Sequence, residues 1–315
     1  MKEIDVVVTM DCEPTTATSD KTGSGPVDFA LSEKAIRGYF DIAAGYGFPV
    51  TFFIHPETAV GQPELFLELE KRGACLGLHM HPWKYSTWRY GRKRYMAHYG
   101  GLTADEQRSL LAESLALWNQ ALNHNPLYFR PGTFSANDSV FAVLDSLGFR
   151  GGSCSAPGRV YKEINAIWTD AEPDPHKAHP CFRQMRGSLD FANMPLSADF
   201  SKLLEGKGGR RMHADFRPDT DWPSIYGITY DTIATNILAQ VNSRKPAVPV
   251  LNAISHNHYD YTKPSDPACQ RFKTMLDAIC SACEKAGVKP VGATLATVVD
   301  KVTARDKGPD AFVIH

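Results

Sequence analysis

The sequence predicts an α/β fold in which parallel strands are joined by helices. Short apolar, β-branched segments alternate along the 315 residues with longer segments of helical periodicity, a pattern typical of parallel sheets. The number of strand–helix units suits a barrel-like arrangement of seven or eight units, with a doubly wound open sheet as the alternative. The glycine motifs of dinucleotide-binding and P-loop folds do not follow the first strand, so the phosphate-binding loop of those classes is missing.

Each predicted element rests on a local pattern. Strands are predicted where apolar or β-branched residues run together, at 4–10, 49–54, 74–79, 127–130, 149–153, 248–254 and 289–292. Helices are predicted where apolar residues recur at helical spacing, at 32–46, 63–72, 103–123, 137–147, 266–286 and 293–302. Ser32 is the expected N-cap of the first helix, and Thr103 with Glu106 forms a capping box.

Composition narrows the class of protein. The chain has 34 basic and 35 acidic residues, 43% hydrophobic residues and 22% charged residues, as in an ordinary globular domain. A net charge of −1 argues against a general nucleic-acid binder, and no apolar segment reaches the roughly 20 residues of a membrane span. We expect one catalytic domain over residues 1–315, with insertions around 82–101 and 155–221.

The first residues and the cysteines predict a location. Residues 1–10 run directly into a strand pattern without the features of a signal peptide. The seven cysteines are odd in number and scattered, which favours buried free thiols over disulfides. We therefore expect a reduced, cytoplasmic protein.

Ionisable residues collect where the predicted strands end, while the strand bodies contain almost none. Because chemistry in parallel α/β folds lies at the carboxyl ends of the strands, we expect one site there. The residues concerned are Asp11, Glu13, His55, His79, His81, Arg130, His256 and His258.

The spacing of two histidines predicts a metal site. His79 and His81 are two residues apart on a strand, so both side chains face the same side. Two imidazoles and one carboxylate leave open positions on a metal, as in catalytic zinc and non-haem iron sites. Arg130 is expected to pair with one of the early carboxylates and to lower its pKa.

Five segments together resemble the motifs of the polysaccharide deacetylase family (carbohydrate esterase family 4, the NodB-homology domain). In order they are Thr9-Met10-Asp11-x-Glu13-Pro14, Thr51-Phe52-Phe53, Gly77-Leu78-His79-Met80-His81-Pro82-Trp83, Phe129-Arg130-Pro131-Gly132 and Ile254-Ser255-His256. The resemblance implies a distorted seven-stranded (β/α) barrel and removal of acetyl groups from N-acetylated sugars. It also implies a divalent metal, for which Zn²⁺ is the first choice.

The resemblance implies roles for these residues, with two departures from the family pattern. Cys12 stands where the family has a second Asp, so Asp11 is assigned as base and Glu13 as metal ligand, with the opposite assignment left open. The metal-binding histidines, His79 and His81, are separated by one residue rather than three. The remaining assignments are Arg130 orienting the base, His256 or His258 as general acid, Asp260 orienting one of them, and His55 as reserve ligand or substrate contact.

The segment 82–101 is rich in aromatic and basic residues and contains no acidic residue. We predict a flap that binds an anionic sugar, such as a nucleotide-linked sugar or a uronic acid, through Trp83, Arg92 and Arg94. A packed surface hairpin with solvated charges is the alternative.

The function expected is a cytoplasmic, metal-dependent deacetylase acting on a sugar precursor of a surface polysaccharide, such as O-antigen or capsule in lipopolysaccharide biosynthesis. Three alternatives remain open at this stage. The protein could hydrolyse a small non-sugar amide on the same fold, bind a sugar without catalysis, or carry out iron-dependent oxidation.

Overall fold

The structure, a computed structural model, describes residues 1–18 and 24–308. The strands are β1 (Glu3–Cys12), β2 (Val50–Ile54), β3 (Cys75–Met80), β4 (Tyr128–Pro131), β5 (Gly151–Gly152), β6 (Val160–Tyr161), β7 (Ala166–Ile167), β8 (His176–Lys177), β9 (Ala192–Asn193), β10 (Ala198–Glu205), β11 (Arg211–Asp215), β12 (Val250–His256) and β13 (Lys289–Gly292). The α-helices are α1 (Phe29–Gly45), α2 (Pro56–Gly61), α3 (Pro63–Lys71), α4 (Pro82–Tyr90), α5 (Ala104–Leu122), α6 (Val140–Ser146), α7 (Trp222–Tyr226), α8 (Tyr230–Arg244), α9 (Pro267–Lys285) and α10 (Leu295–Arg305). Short 3₁₀ turns lie at Tyr99–Gly101, Gly132–Phe134, Lys162–Ile164 and Lys207–Gly209.

The main sheet confirms the predicted α/β fold. Its strands follow the order β12, β1, β2, β3, β4, β5, β9 and β8, and all pairs are parallel except β8 with β9. β13 pairs in parallel with the first residues of β1. The sheet curls, and this brings β12 close to the segment that follows β9. Asn252 of β12 donates hydrogen bonds to Ser153 Oγ (3.1 Å) and to the carbonyl of Pro195 (2.9 Å). Within the described residues no ladder joins β9 to β12, so a closed seven-stranded barrel is not confirmed.

Both faces of the central strands are buried, as expected when helices cover a parallel sheet. Side chains of β1 alternate between two apolar clusters. Val6 and Val8 belong to the larger cluster, which α1 and α9 help to form. Val7 and Phe53 belong to the smaller cluster, which Val299 and neighbouring residues of α10 complete. Because the strand bodies are largely apolar on both faces, most ionisable side chains of these strands lie at the strand ends.

Residues 155–221, for which the sequence predicted no elements, supply β8 and β9 to the main sheet and also form a second sheet. Its order is β10, β11, β6 and β7, with antiparallel pairing throughout. The strands at 160–161 and 166–167 have two residues each, too few to show an alternating pattern in the sequence. Helices α2, α4, α7 and α8 were likewise not predicted, and α4 takes up residues that were expected to form a loop.

Helix boundaries depend on capping side chains. α1 begins three residues earlier than predicted, because the Asp28 carboxylate caps it by accepting a hydrogen bond from Leu31 N at 2.8 Å. Ser32, the predicted cap, lies inside the helix and donates to Gln62 Oε1 at 2.7 Å. The predicted capping box of α5 is confirmed.

The described residues hold little that bears on location. Within residues 1–18 and 24–308, every helix is too short or too polar to cross a lipid bilayer. All seven cysteines are free.

Candidate metal and catalytic centre

The ends of β1, β3 and β12 meet at one cavity of about 500 Å³. The registers bring them together, since Asp11 pairs with His256 across β1 and β12 and His79 pairs with Arg130 across β3 and β4. Asp11, Glu13, His81 and His256 line this cavity. The structure thus brings together the strand-end residues that the sequence grouped by position alone, with the exception of His55.

Glu13, His79 and His81 form a candidate metal-binding group, and within the described residues it is the one such cluster of His, Cys, Asp or Glu side chains. All three are buried, and their ligand atoms lie within 4.8 Å of one another. Glu13 Oε1 is 3.0 Å from His81 Nε2 and 3.4 Å from His79 Nε2. His79 Nδ1 donates to the carbonyl of Arg130 at 3.1 Å, which leaves the lone pair of Nε2 directed at the carboxylate. Lone pairs that converge in this way fit a cation between them.

The protonation states also suit a metal. Burial raises the pKa of Glu13, but the neighbouring His81 and Lys84 outweigh it and hold the pKa well below its usual value. Burial lowers the pKa of His81 to about 4. At neutral pH the group therefore contains an ionised carboxylate and a neutral imidazole at these positions, the forms that bind metals.

Lys84 is part of this centre, although the sequence analysis counted it only among the basic residues of a loop. It is fully buried, and its Nζ donates to Glu13 Oε2 at 2.7 Å and to the carbonyl of Ser24 at 2.5 Å. Pro82 is the first residue of α4, and this start of a helix places Lys84 in the first turn, over Glu13. The ion pair leaves Glu13 Oε1 to face the two histidines.

Asp11 is held by Arg130 in a buried ion pair. Arg130 Nη1 donates to Asp11 Oδ1 at 2.7 Å and to Thr9 Oγ1 at 2.9 Å, and Nε donates to the Ser153 carbonyl at 3.2 Å. Burial raises the pKa of Asp11, but Arg130 outweighs it and the pKa is lowered. The second oxygen, Oδ2, lies 3.9 Å from His79 Nε2. Asp11 therefore presents one ionised oxygen beside the metal group.

His256 is held by Asp219, a residue that the sequence analysis did not single out. His256 Nδ1 donates to Asp219 Oδ2, and Ser255 Oγ donates to Asp219 Oδ1 at 2.6 Å. Burial lowers the pKa of His256, but Asp219 outweighs it and the pKa is raised. Asp260, the predicted orienting residue, instead accepts a hydrogen bond from Thr262 N at 3.0 Å. Asp219 lies in the segment without predicted elements, where no pattern distinguishes one acid from another.

His258 lies near His256, with ring centroids 5.4 Å apart. Burial and the facing His256 lower the pKa of His258 to about 4. The pKa values of the two histidines at this strand end are therefore shifted in opposite directions.

Part of the chain matches a known protein family. Residues 23–152 match the family model described as polysaccharide deacetylase. The predicted family resemblance is confirmed. None of the curated proteins searched matches the chain.

Several solved structures share the fold of this chain over almost its whole length. A protein from Mycobacterium smegmatis assigned to the polysaccharide deacetylases is 16% identical, with a TM-score of 0.58 and 96% of this chain and 91% of that chain covered. One from Pseudomonas aeruginosa PAO1, assigned likewise, is 11% identical, with a TM-score of 0.55 and coverage of 95% and 90%. PuuE allantoinase is 10% identical, with a TM-score of 0.54 and coverage of 96% and 90%. At these identities the likeness shows the fold alone.

The residues predicted to bind substrate lie in different surroundings. Trp83 packs edge-on against His81, with ring centroids 6.1 Å apart. His55 is buried at the N-terminus of α2, where its Nδ1 accepts a hydrogen bond from Glu57 N at 3.3 Å. His55 belongs neither to the metal group nor to the cavity lining.

Arg92 and Arg94 do not line this cavity, and their role in binding an anionic sugar stays a prediction. α4 ends at Tyr90, and Gly91 is its C-cap in the left-handed conformation. Arg94 pairs with Glu113 of α5 at 3.0 Å and stacks on Tyr90. Arg92 is exposed. The arginines that line the cavity come from the second sheet and its loops: Arg159, Arg210 and Arg217.

Proposed function

We propose that this protein is a metal-dependent hydrolase that removes the acetyl group from an N-acetylated sugar. One observation carries the proposal, namely that the Glu13, His79 and His81 group shares a cavity with two oriented proton-transfer residues, Asp11 and His256. Hydrolysis of an amide needs an activated water, a stabilised oxyanion and a proton for the leaving amine. The cavity contains groups suited to each of these tasks.

Glu13, His79 and His81 are the proposed ligands, and Zn²⁺ is the proposed metal because one oxygen and two nitrogen donors suit catalytic zinc. Glu13 is preferred over Asp11, since Glu13 Oε1 approaches both histidines whereas Asp11 Oδ2 lies 3.9 Å from His79. A divalent cation held there supplies Lewis acidity toward the acetyl carbonyl and makes water more acidic.

Asp11 is the proposed general base. Its lowered pKa keeps the carboxylate ionised at neutral pH, and Arg130 occupies Oδ1. Oδ2 is therefore the atom that accepts the proton of the attacking water. Arg130 acts as a positioning residue that fixes the rotamer of Asp11.

His256 is the proposed general acid. Its raised pKa favours the protonated ring, and Asp219 fixes Nδ1, so that Nε2–H is left for the leaving amine. His258, with a pKa near 4, is neutral at pH 7 and cannot donate in this way. Of the two histidines that the sequence offered as general acid, we therefore propose His256 rather than His258.

The proposed substrate is a small precursor of a surface polysaccharide, such as O-antigen or capsule, rather than finished polymer. A cavity of about 500 Å³ lies within the range of small-molecule sites, roughly 300–1,000 Å³. A cytoplasmic location belongs to this same proposal.

Hydrolysis of a small non-sugar amide is the second candidate. PuuE allantoinase has the same fold, and the cavity volume suits any amide of similar size. Acetate as the product separates the first candidate from the second.

The test is acetate release from N-acetylated monosaccharides by the Zn²⁺-loaded protein, with metal content measured in parallel. We expect one acetate per amine formed, loss of about 10²–10⁴-fold in kcat for Asp11→Asn with Zn²⁺ retained, and loss of both Zn²⁺ and activity for Glu13→Gln. The size of the first effect is that of a lost general base.

Two outcomes would contradict the proposal. Sugar binding without acetate release, unchanged in Asp11→Asn, would indicate a binding protein. Full metal content in Glu13→Gln would exclude the proposed ligand set. Because Glu13→Gln leaves Lys84 buried without its partner, the double variant Glu13→Gln/Lys84→Met serves as a folding control.

A further inference from the structure

The cavity contains a second charged group, built by residues 155–221 and separate from the candidate metal ligands. Arg217 binds Asp215 through two hydrogen bonds, Nε to Oδ1 at 3.2 Å and Nη2 to Oδ2 at 2.9 Å. Arg159 faces the same carboxylate, but its Nη2 is 3.8 Å from Asp215 Oδ2, beyond hydrogen-bond distance. One carboxylate therefore faces two guanidinium groups.

Arg159 is held in place without an acceptor of its own. It is 8% exposed, and its Nε is buried with no hydrogen-bond partner among the described residues. Its guanidinium lies over the rings of Phe134 at 4.9 Å and Tyr161 at 5.3 Å. These contacts orient the cation but leave its buried Nε–H without an acceptor, a costly state for a buried donor.

Three other charged residues around the cavity have partners of opposite charge. Arg210 pairs with Glu163 outside the metal group, Asp219 pairs with His256, and Asp11 pairs with Arg130. Burial and the neighbouring Arg217 lower the pKa of Arg159 to about 10, so that it still carries its charge at neutral pH. Arg159 therefore shares its nearest carboxylate, Asp215, with Arg217, which makes both hydrogen bonds to it.

We propose that Arg159, supported by Arg217, binds a carboxylate of the substrate, so that the substrate is an acetylated sugar acid. A carboxylate accepts two parallel N–H bonds from one guanidinium, and its charge is complementary to Arg159, whose nearest carboxylate, Asp215, is already bound by Arg217. This inference rests on the proposed deacetylase function for the identity of the substrate, and on Arg159 for its charge.

The experiment compares two sugars that differ only at C6, N-acetylglucosaminuronic acid and neutral N-acetylglucosamine. Dissociation constants are measured by calorimetry on the Zn²⁺-loaded Asp11→Asn protein, so that turnover does not interfere. We expect the acid to bind at least tenfold more tightly than the neutral sugar. Arg159→Met is expected to bring the two dissociation constants within twofold of each other, and Arg159→Lys to restore part of the difference.

Arg150→Met is the matched control, because Arg150 is an exposed arginine that pairs with Asp300 and does not line the cavity. It removes one positive charge and is expected to leave the preference unchanged. Arg159→Met is expected to fold, since Asp215 keeps its partner Arg217.

Each remaining outcome decides the proposal. Equal affinity for the two sugars in the Arg159-containing protein, no binding of the acid, or a preference that survives Arg159→Met overturns the carboxylate site. Should Arg159→Met not fold, Arg159→Lys decides: full preference in that variant overturns the site. Acetate release from both sugars at equal efficiency leaves the deacetylase standing and the subsite refuted. Tighter binding of the acid without any acetate release supports the carboxylate site and refutes the deacetylase.

Discussion

Single side chains set the protonation state of each group in the cavity. His256 and His258 stand two residues apart on the same strand end, yet the pKa of His256 is raised and that of His258 is lowered to about 4. Burial acts on both in the same direction. The difference comes from Asp219, which contacts His256 directly and gives the buried cation a counter-charge.

Replacing Asp219 by Asn is therefore expected to move the basic limb of the pH–rate profile to lower pH. The general acid must be protonated, and without the Asp219 carboxylate only Asp11 and Glu13 oppose the effect of burial, so that the pKa of His256 falls. We expect a shift of about 1–2 pH units, measured from kcat between pH 5 and 10.

The pH dependence of the free energy of unfolding is a second measurement that tests Asp219→Asn, because a pKa that differs between the folded and unfolded states makes stability depend on pH. The folded-state pKa of His256 lies above the unfolded value of about 6.5. The pair with Asp219 thus adds to the free energy of unfolding fully below pH 6.5, and the contribution is lost as pH rises through the folded pKa. Asp260→Asn is the control, because Asp260 bonds to Thr262, and an equal shift in that variant would contradict the assignment of Asp219.

At the scale of elements, the turn after β4 packs directly against the ring of His81. A Cβ atom on Gly132 would lie 2.3 Å from both Nδ1 and Cε1 of His81. Thr133 and Phe134 follow with φ of 57° and 58°, a left-handed conformation that costs non-glycine residues free energy. The turn is therefore strained next to the site and leaves no room for a side chain at residue 132.

Gly132→Ala is expected to displace the His81 ring and weaken Zn²⁺ binding by at least about tenfold, the size of effect seen when residues that orient metal ligands are changed. Zn²⁺ affinity is measured by competition with a chromophoric chelator. Gly45→Ala is the matched control, since nothing lies within 4 Å of the added Cβ at the end of α1. Equal affinities in the two variants would show that His81 is not held by this contact.

At the scale of the whole molecule, the curl of the sheet brings residues distant in the chain into one cavity. Asn252 joins β12 to segments at the opposite side, through Ser153 Oγ and the Pro195 carbonyl, and its backbone N–H donates to Ser197 Oγ at 2.8 Å. These bonds position the segment that leads to the second sheet and its arginines.

Asn252→Ala is expected to lower the free energy of unfolding by about 1–3 kcal/mol, because the buried Pro195 carbonyl loses its donor. Urea denaturation gives the value. Asn242→Ala, which removes an exposed contact to the N-terminus, is expected to change stability by less than about 0.5 kcal/mol. A similar small change for Asn252→Ala would refute the role of Asn252 in joining the two edges.

Local patterns in the sequence were sufficient for the parallel strands, for the capping box of α5 and for the grouping of Asp11, Glu13, His79, His81, Arg130 and His256 at strand ends. These features depend on residues close together in the chain or on a general rule of parallel sheets. The two-residue strands of the second sheet and the start of α1 at Asp28 had no comparable local signal.

The sequence by itself determined which strands are buried on both faces, and hence that polar side chains must collect at their ends. Only the tertiary structure decided that Lys84 neutralises Glu13, that Asp219 rather than Asp260 holds His256, and that Arg159 rather than Arg92 or Arg94 lines the cavity. The physical reason is distance along the chain. Pairing of charges from separate segments depends on how those segments pack, and periodicity within one segment contains no information about its distant partners.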